Sequence, residues 1–318
     1  MNDEPPCGGS FCNMATSTSQ RSVLTELLQS DGGTYAVSSV TDAYAWCSRL
    51  AVSHYENFPV ASKLLPASMR PHVTAVYAYA RLADDIADED WTHDQTERHA
   101  ALQTMQQLVE AASVHPLEQG HPIAVALSQS IANKAIPTAP LHDLLLAFRQ
   151  DVDFKRPATW EDVMQYCRCS ANPVGRIVLA IAGVRDIRAT EASDDICTAL
   201  QLVNFWQDLS IDIPRGRWYL PLELVDSFGQ HGALLEALRR TQTLFDRGRI
   251  VALLVPSIRL RTELHAIIHG GERMLGLCRD LGDELWTKRP ILRKADYFSI
   301  AWRVAADLCI HDRKSELA

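Results

Sequence analysis

The chain has 318 residues, 47% of them apolar, and a formal net charge of −8 at pH 7. That length and apolar content can bury a substantial core, as one large domain or two small ones. The acidic balance, with only short basic clusters such as Arg239-Arg240 and Lys288-Arg289 followed by Arg293-Lys294, excludes nucleic acid as a partner.

In chain order, the first twenty residues lack the basic start and apolar run of a secretory signal. Residues 1–40, rich in Ser, Thr, Gly and Pro, are expected to be a flexible N-terminal extension. No run of about eighteen apolar residues follows, so a cytoplasmic protein is expected, with peripheral contact at the inner face of a membrane left open. Beyond residue 40 the apolar spacing is helical almost everywhere. Val73, Val76, Tyr77, Ala80 and Asp84 follow it, as do Leu141, Leu144, Leu145 and Phe148. A dense run with Ile177, Leu179, Ala180 and Ile181 lies between Gly175 and Gly183. Prolines, and the pair Gly270-Gly271, are read as breaks dividing residues 41–318 into roughly nine to eleven helices. No strand alternation and no linker interrupt them, so one all-α domain is expected. The eight cysteines show no zinc-ligand spacing: Cys167 and Cys169 lack a second pair, and Cys7 and Cys12 fall in the N-terminal stretch. Free thiols are expected.

Two acidic segments stand out, Arg81 to Glu89 and Asn204 to Asp212. In the first, Asp84 and Asp88 are one helical turn apart, with Arg81 and Tyr77 one and two turns earlier. In the second, Asn204, Asp208 and Asp212 advance in steps of four, preceded by Gln201 and interleaved with Phe205, Trp206 and Leu209. Like charges stacked on one helix face repel, so packing alone would not favour them. Mg²⁺ would relieve the conflict, since it prefers hard oxygen ligands and shares them with substrate phosphates. Two such faces looking at each other would hold a diphosphate, with Arg81 pairing its oxygens. The expected chemistry is ionisation of an allylic or cyclopropylcarbinyl diphosphate. Gly216-Arg217-Trp218-Tyr219-Leu220-Pro221 reads as a turn that could close over the site or simply join two helices. Arg217 and Arg289 are further basic candidates for phosphate.

With these residues in place, the chain resembles the squalene and phytoene synthase family from about residue 42 to about 300. The resemblance rests on His54-Tyr55-Glu56-Asn57-Phe58, on Tyr77 through Arg81 to Asp84 and Asp88, and on Tyr166-Cys167 with Ala171 and Val174-Gly175. Gln201, Asn204, Asp208, Asp212, Gly216-Arg217 and Tyr219-Leu220-Pro221 complete it. It implies a single-domain isoprenoid synthase fold with a central active-site cavity. Asp84, Asp88, Asn204, Asp208 and Asp212 would hold Mg²⁺, and Tyr77 and Arg81 would join them in catalysis. His54, Phe58, Tyr166, Ala171, Val174, Gly175, Gln201, Gln207 and Arg217 would contact substrate.

Within the family, His54 to Ser62, Ala78 to Glu89 and Asn204 to Asp208 most resemble the hopanoid-pathway branch that converts presqualene diphosphate to hydroxysqualene. Three departures accompany this. Gln207 stands where many relatives have arginine, Glu56 where some have a basic residue, and Pro157 where tyrosine is common. Less positive charge fits one diphosphate better than two. The implied reaction ends in capture by water, held by Ser170, Asn172 and Gln207, with no NADPH. Phe58, Tyr166, Phe205 and Trp206 would face the carbocation. A presqualene diphosphate synthase would be the functional partner. Head-to-head condensation of two farnesyl diphosphates, and a non-catalytic assembly role for the same fold, are the alternatives.

Overall fold

A computed structural model describes residues 24–29, 31–53, 64–88 and 91–316, with side chains as far as residue 309. Every regular element among them is helical, and eleven helices reach ten residues or more. The chain forms two compact units, Met1–Ser62 with Ala67–Asn133, and Lys63–Pro66 with Lys134–Ala318.

In the first unit, α1 (Val40–Ser53) and α3 (Gln95–Val114) pack on α2 (Arg70–Ala87), and α4 (Pro122–Lys134) follows. Pro71 starts α2 at a position whose N–H would have no partner inside the helix anyway. Ala75, Ala78, Tyr79, Leu82, Ala83 and Ile86 form its buried face. The helix stops because side chains take its last carbonyls. Trp91 Nε1 donates to Ile86 O at 2.8 Å, and Arg98 Nη1 donates to Ala87 O at 2.9 Å. The described part of the expected N-terminal extension is tied down rather than loose. Leu24 and Leu27 are buried, His121 Nε2 donates to Leu27 O at 2.8 Å, and Val37 and Gly120 exchange two backbone hydrogen bonds. Leu24, Leu27 and Leu28 stand at helical spacing and residues 24–27 form a single helical turn, a signal short enough to be lost in the polar composition around it.

In the second unit the elements run α5 (Ala139–Val152), α6 (Trp160–Ser170), α7 (Asn172–Ile181), α8 (Ile187–Gln207) and the short α9 (Leu209–Asp212). Then come α10 (Leu222–Gly248, kinked at Gly229), the short α11 (Val251–Leu254), α12 (Ile258–Leu281) and α13 (Lys294–Glu316). Helix α8 is the hub, packed by α6, α7, α10, α11 and α12. Glycines let the neighbours come close. A Cβ at Gly175 of α7 would lie 2.3 Å from Ser193 Oγ and 2.6 Å from Cys197 Sγ. One at Gly271 of α12 would lie 2.7 Å from both Leu200 and Phe245. The expected break at Gly270-Gly271 is therefore not a break. Helix α12 runs straight through it, and Gly271 is small because α8 and α10 press against it.

The six described cysteines are free. Burial pushes the thiols of Cys47, Cys167 and Cys278 up to about 12, which keeps them protonated and inert.

Candidate active site

On α2 the non-buried side carries Tyr77, Arg81, Asp84, Asp85 and Asp88 at helical spacing. Arg81 reaches two carboxylates, Asp85 Oδ1 at 2.5 Å and Asp84 Oδ2 at 3.3 Å. Asp85 is the more enclosed of the two, its side chain 13% exposed against 58% for Asp84. Burial raises the Asp85 carboxyl to about 6; Arg81 opposes the shift, and Asp84 and Asp88 reinforce it. Burial also raises the Tyr77 phenol. Arg81 Nε is buried without a hydrogen-bond partner. Asp88 lies just past the helix, with φ −72° and ψ 152°, and its N–H still bonds to Asp84 O at 3.0 Å. The expected one-turn relation thus survives in the backbone hydrogen bond, while the chain leaves the helix at that residue. Asp85, four residues after Arg81 and outside the expected ligand set, is the main partner of Arg81.

The second segment is also less regular than a single ladder. Helix α8 ends at Gln207, Asp208 turns aside with φ −99° and ψ 10°, and α9 resumes at Leu209. Asp208 N–H bonds to Asn204 O at 3.0 Å and Asp212 N–H to Asp208 O at 2.8 Å, so the spacing of four is kept across the kink. Asn204 is exposed, and Gln201, Asp208 and Asp212 are half-buried. Burial and the neighbouring charge of Asp208 raise the Asp212 carboxyl to about 6, against the pull of Arg217, Arg215 and Arg289.

A strap from far along the chain covers this segment. Arg289 Nε donates to Asp208 Oδ1 at 2.5 Å, and Gln207 Nε2 donates to Pro290 O at 3.1 Å. The position that lacks the family's arginine therefore has an arginine beside it, delivered by residue 289. After α9, Gly216 adopts φ 80°, which an L side chain resists, and Arg217 N–H bonds back to Asp212 O at 2.9 Å. That turn lays Tyr219 flat on Phe205, centroids 3.7 Å apart at 6°. Tyr166 lies 5.8 Å from Phe205 and 6.1 Å from Tyr219.

These three rings form one wall of a cavity of about 590 Å³, whose lining also includes Arg149, Lys155 and Arg156. Its volume lies in the range of small-molecule pockets. Tyr166 Oη donates to Asp151 Oδ1 at 2.9 Å, and burial with that carboxylate lifts the phenol well above its usual value. Arg156 stacks on Trp218 at 4.7 Å and donates to Leu220 O, while Pro157 O accepts from Leu222 N–H at 3.2 Å. That bond uses the backbone carbonyl that any residue would offer, so it leaves the departure at Pro157 without a structural explanation.

Several expected contacts have other employment. Trp206 is fully buried and donates through Nε1 to Thr241 Oγ1 at 3.0 Å, so it is core rather than carbocation wall. Gly175 is a packing contact, and Ala171 is buried at the junction of α6 and α7. Val174 is half-buried beside it. Asn172 Oδ1 accepts from Thr198 Oγ1 at 2.9 Å and Gln207 Nε2 donates to Pro290 O at 3.1 Å, so each amide is anchored through one of its two polar ends. Ser170 Oγ is buried without a partner. His54, Glu56 and Phe58 lie outside the described residues.

Residues 51–296 match the family model for squalene/phytoene synthase. The chain belongs to the squalene/phytoene synthase family. It is 33% identical over 266 residues to a hydroxysqualene synthase of Rhodopseudomonas palustris, covering 79% of this chain and 86% of that protein. A phytoene synthase of Mycobacterium tuberculosis is 27% identical over 195 residues, 61% of this chain and 62% of its own. Among solved structures, squalene synthase HpnC from Alicyclobacillus acidocaldarius superposes with a TM-score of 0.71 at 37% identity, covering 77% of this chain and 95% of that one. A dehydrosqualene synthase solved with a ligand superposes with a TM-score of 0.73, covering 85% of this chain and 97% of its own; at 23% identity it speaks to fold alone. The protein is an isoprenoid-synthesising enzyme of this family, with the all-α isoprenoid synthase fold.

Proposed function

We propose that the enzyme converts presqualene diphosphate and water to hydroxysqualene and diphosphate, in a Mg²⁺-dependent step of hopanoid and squalene biosynthesis. The observation that carries this reading is the likeness to hydroxysqualene synthases over four-fifths of the chain, which carries both acidic segments. Residues 41–318 would act as one catalytic domain.

The donor set fits Mg²⁺. It is made of hard oxygens, and burial, with the charge of Asp208 beside it, raises the Asp212 carboxyl despite Arg217, Arg215 and Arg289. Asp84 on α2 and Asp88 just past its end, with Asn204, Asp208 and Asp212 around the Asp208 kink, would hold the metal. Bound there, Mg²⁺ would draw charge from the diphosphate and ease its departure. The remaining work belongs to side chains. Arg81 Nε offers an unused donor to a phosphate oxygen, and Arg217 and Arg289 supply positive charge beside Asp208 and Asp212. Tyr77 would stabilise the same leaving charge. As the carbon–oxygen bond breaks, its electron pair leaves with the diphosphate. The π faces of Phe205, Tyr219 and Tyr166 suit the resulting cyclopropylcarbinyl cation. After rearrangement, water forms the new carbon–oxygen bond and loses a proton, so no NADPH is consumed. Ser170 Oγ is the hydroxyl still available to hold that water.

A separate synthase would supply presqualene diphosphate. Among the described residues no helix is long and apolar enough to cross a membrane. The oily substrate would instead be met at a membrane surface by the exposed Ile291, Phe298 and Trp302 near Arg293, Lys294 and Arg303.

The deciding experiment offers the purified protein presqualene diphosphate and farnesyl diphosphate separately, with Mg²⁺ and without NADPH, products being read by gas chromatography and mass spectrometry. Hydroxysqualene from the first, with the second untouched, is expected. Consumption of farnesyl diphosphate would replace this reading with head-to-head condensation, which the likeness to phytoene synthases favours.

A further inference from the structure

Away from the acidic segments, helices α12 and α13 bring together a different kind of donor set. His265 and His269 stand one turn apart on α12, and Asp307 comes from α13. Asp307 Oδ2 lies 2.8 Å from His269 Nε2 and 3.2 Å from His265 Nδ1. One ligand atom from each residue fits within 4.8 Å of the other two. The imidazoles are enclosed, with side chains 9% and 10% exposed, whereas Asp307 is 38% exposed. The group is therefore walled on one side and open to solvent on the other.

Nitrogen and oxygen ligands about 2.0–2.2 Å from a tetrahedral ion stand roughly 3.3 Å from one another. The two separations to Asp307, 2.8 and 3.2 Å, are close to that value, and the two imidazole ligand atoms lie within 4.8 Å of each other. The surroundings strengthen the case. On the far side of the His269 ring, the buried Nδ1 faces Glu272 Oε2 at 3.4 Å without a completed hydrogen bond, and Arg249 Nη2 holds Glu272 Oε1 at 2.6 Å. A carboxylate behind a histidine fixes which ring nitrogen is left to bind a cation and makes it a better donor. Two imidazoles and one carboxylate are a poor set for Mg²⁺ and a good one for a borderline transition ion.

We propose that His265, His269 and Asp307 form a binding site for a divalent cation of the zinc class, with Glu272 orienting His269 and solvent completing the coordination at the open side. The ion clamps α13 to α12. This site stands apart from the Mg²⁺ ligands in residues and in chemistry, and it does not depend on the proposed reaction.

The test uses the full chain, free of any histidine tag and stripped with a chelator. Co²⁺ is titrated in the presence of excess Mg²⁺, which occupies hard-oxygen sites. A visible absorption band of tetrahedral Co²⁺ that saturates at one equivalent and is abolished by Zn²⁺ is expected. Glu272→Gln should weaken binding by roughly 10- to 100-fold. His265→Gln and Asp307→Asn should remove the band, whereas Asp84→Asn and Asp208→Asn should leave it intact. Zn²⁺ should raise the unfolding temperature of the wild type and not of His265→Gln, with circular dichroism confirming that the variants are folded. Absence of the band in the wild type would overturn the site. So would its persistence in His265→Gln and Asp307→Asn, or its loss in Asp208→Asn.

Discussion

Asp208 does three things at once: it breaks the line of α8, it raises the Asp212 carboxyl, and it receives Arg289. Asp208→Asn would keep its size and remove its charge. Turnover should fall by at least about 100-fold, the scale of losing a group that stabilises developing charge, while helix content by circular dichroism stays unchanged. Near-normal turnover would sink the proposed role. Gln207 invites a finer comparison, because its amide also holds Pro290. Gln207→Arg adds the charge that many relatives carry; Gln207→Ala only breaks the hydrogen bond. A shift in substrate or product profile with arginine alone would make charge the determinant. The same shift with alanine would point to the strap instead, and no shift in either would leave Gln207 a bystander. The acids themselves were readable from sequence because carboxylates at helical spacing oppose helix stability and so need a reason. Arg289 reaches Asp208 from 81 residues away, and no local period encodes such a meeting.

At the scale of elements, the fold was legible wherever one face is apolar and the other is not, as on α2. It was misread where small size carried the meaning. Gly270-Gly271 looked like punctuation, whereas Gly271 marks the close approach of Leu200 and Phe245. The kink at Asp208 was invisible too, since the spacing of four persists through it. Gly175 makes the packing argument testable. Gly175→Ala would place a methyl 2.3 Å from Ser193 Oγ and 2.6 Å from Cys197 Sγ, so that both side chains must rotate in the packed interface or α7 must move away from α8. Overpacking of this sort costs about 1–3 kcal/mol, to be read from urea denaturation. Adding Ser193→Gly should recover part of the loss, because it removes the nearer clash. Equal stability of Gly175→Ala and wild type would mean that the two helices separate freely there.

The whole molecule carries a net charge of −8, which on average repels an anionic lipid surface. The second unit nevertheless presents a local exception. Ile291, Phe298 and Trp302 are 63%, 78% and 77% exposed, and Arg293, Lys294 and Arg303 are exposed beside them. Phe298 and Trp302 are one turn apart on α13, the spacing that lets both rings enter an interface together. Aromatic rings favour the headgroup layer, and each nearby basic residue adds about 1 kcal/mol on an anionic bilayer. Nearby Asp296 does not cancel them, since it is buried and bonded to Arg273 Nε at 2.6 Å. The protein should therefore sediment with phosphatidylcholine vesicles containing phosphatidylglycerol, less with phosphatidylcholine alone, and less again as salt screens the basic contribution. Phe298→Ser with Trp302→Ser should abolish sedimentation while turnover of detergent-dispersed substrate stays unchanged, because neither ring belongs to the catalytic set. Binding that ignores both lipid charge and these two residues would place the contact elsewhere on the molecule. Loss of turnover in detergent would instead show that α13 supports the reaction itself.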